Sequence, residues 1–339
     1  MSHTKKSSLD SEGSEHILSD LKAYTSDEPQ PKVGFWESFQ RKTEKDTLPK
    51  PLKMSHLSVI ALSSGLGTGL LVGSADKLRV GGPLAILVAY ALVGLMCICT
   101  MNSVGELTVA YSELEGGFNE WYRKFIDDSI AFAFGWNYYI QWTVAISLEL
   151  VTAAMTIKYW NTLINLDVFV TIFLVAVIFI NFFGVKGYAD AEFVMNLIKL
   201  LMLTGFVIMG LCIDLGASKS GFIGGKYWRD PGFFIGFKGF VQCFSTASFL
   251  MGGTEFLALS VSDVRNPRTA LPVAIRLVFV RIVFFYLGTL AFVGLLVPYD
   301  SPRLLGAGAS ATSASPYVLA AAIHGVKVVP HIINAVILN

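Results

Sequence analysis

The 339-residue sequence has little charge. Asp, Glu, Lys and Arg make up 15% of it against 53% hydrophobic residues, and long stretches carry no ionisable side chain. Such a composition, with a mean hydropathy of +0.58, excludes an ordinary soluble domain. What charge there is nearly cancels: a formal net charge of +1 leaves no electrostatic footprint for nucleic acid, and none is expected as a partner. Cysteine is scarce too. Cys97, Cys99, Cys212 and Cys243 fall in apolar runs without metal-ligand spacing, which reads as thiols buried in a membrane and not as a disulfide framework. No nucleophile–base pair and no metal cluster marks an enzyme, so no catalytic residue, metal or cofactor is expected. The first apolar run follows a polar stretch from Met1 to Ser55, so no cleavable signal peptide is expected at the start.

What the sequence does have is a succession of apolar runs separated by short polar turns, the pattern of an all-α polytopic membrane protein. Residues 1–55 read as a disordered cytoplasmic tail, in which Phe35, Trp36 and Phe39 are candidates for a short interfacial helix. Residues 56–339 read as one transmembrane domain. Its spans are expected at about Leu57–Ala75, Pro83–Val104, Ser129–Tyr159, Val168–Phe183, Phe193–Ile213, Phe237–Val261 and Leu277–Val297. Polar loops are expected over Glu106–Asp128, Asp214–Gly236 and Asp263–Arg276, and Tyr317–Ile323 reads as a short helix. Pro330–Asn339 begins an eighth span that ten residues, at about 1.5 Å each, cannot complete, so the domain is read as C-terminally incomplete. Arg41, Lys42, Lys45, Lys50 and Lys53 before the first span, with Arg265, Arg268 and Arg276 between spans six and seven, place the N-terminus in the cytoplasm.

Two of these spans are weak in the middle. Span one contains Ser63-Ser64-Gly65-Leu66-Gly67-Thr68-Gly69, and span six contains Gly252-Gly253-Thr254-Glu255. Glycine costs roughly 1 kcal/mol in a helix interior, and small hydroxyl residues compete for backbone hydrogen bonds. Two readings of span one are open. Gly65, Gly69 and Gly73 are spaced as a small-residue packing face. Alternatively the helix opens, which lipid tolerates only where protein or a water-filled cavity meets the freed backbone. The matching interruption five spans later favours opening, because paired broken spans point to a transporter's midplane site. There, first-turn N–H groups suit a carboxylate and freed carbonyls suit an ammonium group, so a zwitterionic amino acid fits both. A nucleotide-binding loop is excluded, since Leu70 stands where a third glycine would be needed and no strand precedes it.

Three ionisable residues stand out inside the runs. Glu255 at the second break reads either as a structural acid or as a binding or proton-relay group. Lys199 is the one basic residue in span five; it either snorkels to the surface or is a buried amine that gains and loses a proton in each cycle. Glu149 in span three reads as part of a gate or, by preference, as a structural partner of a neighbouring helix. Arg281, near the inner end of span seven, is expected to snorkel. His324 and His331 lack ligand partners at useful spacing and read as loop histidines.

The chain resembles the fungal amino-acid permeases of the amino acid–polyamine–organocation superfamily. The resemblance is carried by GTGLLVGS (Gly67–Ser74), GGP (Gly81–Pro83), GEL (Gly105–Leu107), GWNYYIQW (Gly135–Trp142) and LELVTAAMTIKYWN (Leu148–Asn161). It continues in FFGVKGYADAEF (Phe182–Phe193), KYWRDPG (Lys226–Gly232), GGTE (Gly252–Glu255), NPRTALP (Asn266–Pro272) and the run from Ser315 to Leu338. It implies an inverted-repeat (5+5) transporter fold of which this chain holds about seven complete spans and part of an eighth, with spans one and six broken. It also implies proton-coupled import of amino acids across the plasma membrane by alternating access. Ser64, Gly65, Leu66, Gly67, Thr68, Gly69, Gly252, Gly253, Thr254 and Glu255 would hold the substrate. Lys199, with Glu255, would couple the proton, and the tail lysines would meet ubiquitin ligase machinery. Ser63 and Ser64 depart from the two glycines usual in the family, and Ser147 from its proline. Because the resemblance stops inside span eight, the chain alone is expected to be inactive and open to retention in the endoplasmic reticulum. The alternative is a permease-like sensor that binds amino acids and signals without transporting them.

Overall fold

The structure, a computed structural model, describes residues 54–63, 65–111, 118–157, 159–160, 163–182, 184–256, 267–302, 304 and 315–338. The N-terminal tail with its lysines, the aromatic trio Phe35, Trp36 and Phe39, and Ser64 lie outside these residues. The described part is helical. Span one comprises α1 (Met54–Ser63), a π-helical stretch Gly69–Gly73 and α2 (Ser74–Gly81). Span two is α3 (Pro83–Ala110), followed by α4 (Phe118–Phe125). Spans three, four and five are α5 (Asp128–Ile157), α6 (Leu166–Asn181) and α7 (Gly184–Cys212), the last running into a π-helical turn Ile213–Ala217. After α8 (Lys226–Arg229), span six contributes α9 (Phe237–Leu250). Span seven is α10 (Pro267–Val280), a π-helical stretch Arg281–Gly288 and α11 (Thr289–Leu296), followed by α12 (Pro316–Ile323) and α13 (Val329–Ile337).

Among the described residues, four segments are long and apolar enough to cross a membrane: Pro83–Thr108, Asp128–Ile157, Asp190–Ala217 and Pro272–Leu296. Span one is interrupted at its glycine-rich centre, the described part of span six runs only to Phe256, and the apolar helix of span four, Leu166–Asn181, has 16 residues. The helices also overrun several expected boundaries. The loop expected over Glu106–Asp128 holds the end of α3 and the amphipathic α4, and α7 begins well before Phe193. The polar segment expected up to Arg276 is helical from Pro267, because Pro267 and Pro272 interrupt the sequence pattern without stopping the helix. Proline at a helix's first position costs nothing there, since that N–H has no partner in the helix anyway.

The interior is built by α3, α9 and span seven, with α1 packed on α7 and α10. Leu70, Tyr90, Leu203, Phe206, Cys243, Tyr286 and Leu290 are buried there. By contrast α5 and α6 expose Phe132, Trp136, Tyr139, Val144, Val175 and Phe179. An apolar surface of that extent fits hydrocarbon and not water. Cys97 and Cys243 are buried, Cys99 and Cys212 are exposed, and all four are free thiols.

Candidate substrate site at the paired helix breaks

The first break follows from glycine. After α1 ends at Ser63, Gly65 takes a φ of +83°, a left-handed conformation that costs a side-chain-bearing residue about 1–2 kcal/mol. Leu66 N–H bonds to Ser63 O at 2.9 Å, and helix resumes when the N–H groups of Leu70 and Leu71 both reach Gly67 O, at 3.2 and 3.3 Å. The second break has the same logic. α9 stops at Leu250, Gly253 takes a φ of +87°, and Phe256 N–H restarts helical bonding on Gly253 O at 3.2 Å.

These two irregular stretches meet. A Cβ placed on Gly65 would stand 2.7 Å from Gly252 O and 3.0 Å from Leu250 O, and one on Gly253 would stand 3.4 Å from Gly65 N. Only bare backbone permits that approach. Both glycine readings of span one therefore hold, at different residues. Gly65 belongs to the opening, whereas Gly69 packs on span six, where a Cβ would fall 1.8 Å from Leu250 Cδ2.

Span seven fastens the two breaks with side chains that sequence reasoning missed or misplaced. Tyr286 is fully buried, and its hydroxyl lies 2.8 Å from Gly65 O and 2.7 Å from Leu250 O. Arg281, expected to snorkel, is also fully buried: its Nη2 donates to Thr254 Oγ1 at 2.6 Å. The correction has a simple cause. Arg281 opens a π-helical stretch, which rotates it inward toward a polar helix break, and there a hydroxyl replaces water as its partner. Thr254 Oγ1 in turn donates to Met251 O at 2.7 Å and receives Cys97 Sγ at 3.4 Å.

Span three closes the other side. Thr68 Oγ1 donates to Glu149 Oε2 at 2.6 Å, and a Cβ on Gly67 would stand 3.2 Å from Glu149 Oε1. The Trp142 ring packs on Phe256 with centroids 4.5 Å apart, while Tyr138 and Arg281 lie in the field of Glu255. Glu255 itself is half-buried and, among the described residues, has no hydrogen-bond partner. The same holds for Lys199, whose surrounding field comes from Glu149 and Glu192. Glu149 is thus common to Thr68 at the break and to the lysine of span five.

Of the expected site residues, Gly65, Gly67, Thr68, Gly252, Gly253, Thr254 and Glu255 come together at the two breaks. Leu66 is buried in the core at 2% exposure, and Gly69 serves packing. Nothing in the sequence singled out Tyr286, a tyrosine in an apolar run. The histidines also need correction. His324 is buried at the end of α12, with Nδ1 2.9 Å from Ser220 Oγ and Nε2 2.9 Å from Leu296 O, and His331 lies in α13 with its ring 5.1 Å from that of Tyr159. A separate cleft of about 500 Å³ between α4 and α5, lined by Asn119, Arg123, Gly135 and Trp136, lies apart from this site.

Chemically, the breaks combine three features: the start of a resumed helix, whose first-turn N–H groups lack intrahelical acceptors, carbonyls at the ends of α1 and α9, and ionisable side chains nearby, with Glu149 bonded to Thr68 and Arg281 to Thr254. That combination suits a small molecule carrying both charges. Residues 56–339 match the family model for amino acid permeases. The chain is 50% identical over 302 residues to a general amino acid permease of Saccharomyces cerevisiae, covering 87% of this chain and 48% of that protein. It is 48% identical to a high-affinity glutamine permease of the same yeast (90% and 47% covered) and 46% identical to an amino-acid permease of Candida albicans (89% and 50%). The chain thus spans about half the length of the curated relatives it matches. On its helices, its two facing breaks and these matches, the chain belongs to the amino acid permease family.

Proposed function

We propose that the protein binds amino acids between spans one and six and serves their proton-coupled import across the plasma membrane by alternating access. The supporting observation is the contact of the two breaks, where Gly65 and Gly253 bring opened backbone from both spans to one place in the membrane interior. A zwitterion's carboxylate takes the first-turn N–H groups, and its ammonium takes the freed carbonyls. Substrate identity stays open on this reading. Relatives of similar identity carry the names of general, glutamine, valine and S-adenosylmethionine permeases.

Proton coupling runs through Lys199 and Glu149. Lys199 is half-buried without a hydrogen-bond partner among the described residues, and Glu149 joins its field to Thr68 at the break. Loss of a proton from Lys199 leaves Glu149 without its nearby cation, and Thr68 is the group that feels the change. Glu255 is the second carboxylate of this scheme.

The chain spans about half the length of its relatives, so the test uses a form extended to their length, in proteoliposomes with an inward proton gradient. Saturable binding of labelled amino acid, and uptake that collapses with a protonophore and is lost in Lys199→Met, are expected. Absence of saturable binding for every proteinogenic amino acid overturns the substrate site. Proton-driven uptake by Lys199→Met equal to that of the parent overturns the coupling role.

A further inference from the structure

The cleft between α4 and α5 takes no part in the site at the breaks, and its lining has a chemistry of its own. Phe118 and Tyr122, one turn apart on α4, lie against α5: the Phe118 ring is 5.2 Å from that of Tyr138, and Tyr122 stacks on Phe134 at 4.8 Å. Asn119 reaches the bare backbone of Gly135, where a Cβ would stand 3.0 Å from its Nδ2. With α4 held in this way, Glu120 and Arg123 line the cleft of about 500 Å³, together with Asp128 at the start of α5. Arg123 serves both acids: Nη1 lies 2.9 Å from Glu120 Oε1, and Nε lies 2.9 Å from Asp128 Oδ1. One guanidinium between two carboxylates leaves these lining residues with one negative charge in surplus.

The rest of the wall is aromatic. Phe132, Trp136 and Tyr139 follow one another at i, i+4 and i+7 on α5, so they share one face of the span, and all three are exposed. Neighbouring rings meet edge to face, with centroids 6.3 and 5.8 Å apart. At about 1.5 Å per residue, this stripe carries the cleft about 16 Å from Asp128 along an apolar helix. The cleft is therefore anionic at its polar end and aromatic toward the membrane interior. A phospholipid with an ammonium headgroup has the matching order: a cation for the surplus carboxylate and the ring faces, a phosphate for Arg123, and an acyl chain for the stripe. We propose that this cleft binds a zwitterionic phospholipid, its ammonium group held by Glu120, Asp128 and Trp136 and its acyl chain laid along Phe132 and Tyr139. The proposal is independent of the amino-acid site at the breaks. The surplus charge disfavours an anionic lipid: one unit charge at about 5 Å in a water-like dielectric changes affinity by about fourfold.

The test measures lipid binding by native mass spectrometry on the protein extended to its relatives' length, purified in detergent. It is titrated with phosphatidylcholine or phosphatidylglycerol of identical acyl chains. The parent is expected to hold phosphatidylcholine about fourfold more tightly than phosphatidylglycerol. Glu120→Gln combined with Asp128→Asn leaves Arg123 without either carboxylate and should reverse that order. Trp136→Leu keeps an apolar side chain but loses the ring face, so it should weaken phosphatidylcholine about two- to fivefold and leave phosphatidylglycerol unchanged. An unchanged order in the double variant overturns the proposal, and so does equal weakening of both lipids by Trp136→Leu. A parent that binds neither lipid overturns it as well, and would mean that the second half of the longer chain covers the cleft. Glycerophosphocholine is the soluble comparison: binding as tight as that of the intact lipid would assign the cleft to a soluble cation and overturn the lipid.

Discussion

Gly65, Gly69 and Gly73 look equivalent in sequence, four residues apart on one apolar run, yet alanine should affect them in three different ways. At Gly65 the new methyl group meets two penalties. The φ of +83° is left-handed, costing alanine about 1–2 kcal/mol, and the Cβ would lie 2.7 Å from Gly252 O and 3.0 Å from Leu250 O. Those are backbone atoms of the second break and cannot swing aside, so overpacking adds about 1–3 kcal/mol. The total is a loss of about 2–5 kcal/mol. At Gly69 the clash is closer, 1.8 Å from Leu250 Cδ2, but it is with the tip of a flexible side chain that can change rotamer, so only the overpacking cost of about 1–3 kcal/mol applies. At Gly73 nothing lies within 4 Å, the residue sits in helical backbone, and alanine should stabilise by up to about 1 kcal/mol. Thermal unfolding of the three variants in the same detergent gives the ranking directly, with Gly73→Ala above the parent and Gly65→Ala lowest. If all three lose stability equally, the glycines form a uniform packing stripe and the broken-span account of span one is wrong. Amino-acid binding separates them further, since Gly65→Ala alone should also disrupt the contact between the breaks.

Tyr286→Phe removes one hydroxyl from between Gly65 O and Leu250 O and should cost about 1–3 kcal/mol, the penalty for leaving a buried acceptor unsatisfied, with amide exchange quickening around both breaks. His324→Leu removes the bridge from Ser220 to Leu296 O, so limited proteolysis should cut the segment around Ser220 faster while leaving α3 and α9 protected. At Asp127 the hydroxyl and the N–H of Ser129, the latter 2.7 Å from Oδ1, hold the carboxyl below its ordinary value of 3.8. A carboxyl whose folded-state value is depressed stabilises fully above its unfolded value and loses that contribution as pH falls through the folded one. Asp127→Asn should therefore flatten the acid limb of the stability–pH curve below about pH 4 and leave stability near neutrality changed only by the lost helix-start contact.

The fold class and the two interruptions were legible because each depends on local composition. Apolar runs announce spans, and glycine clusters announce where a span cannot hold its hydrogen bonds. Helix ends were less legible. Pro267 and Pro272 read as a polar connector, whereas the helix accommodates both, and α4 hid in a segment rich in charge. The fastening of the breaks was not legible at all. Whether Tyr286 and Arg281 face lipid or interior depends on the register of span seven, and its π-helical stretch shifts that register away from the regular 3.6-residue repeat on which sequence patterns are judged. Arg281 near the end of an apolar run matches every criterion for snorkelling except the direction in which its helix turns.

The irregular backbone and the charged side chains are parts of one arrangement. A helix that opens inside a membrane exposes carbonyls that water cannot reach, so each opening must be met by a donor from another element. Tyr286 has one proton and faces two carbonyls, Gly65 O and Leu250 O, so at any instant its hydroxyl serves only one of them. A ligand ammonium, with three donors, is the kind of group that relieves such a shortage. If the breaks hold an amino acid as proposed, its charged ends complete them, and ligand binding should tighten the same residues that substitution at Tyr286 loosens.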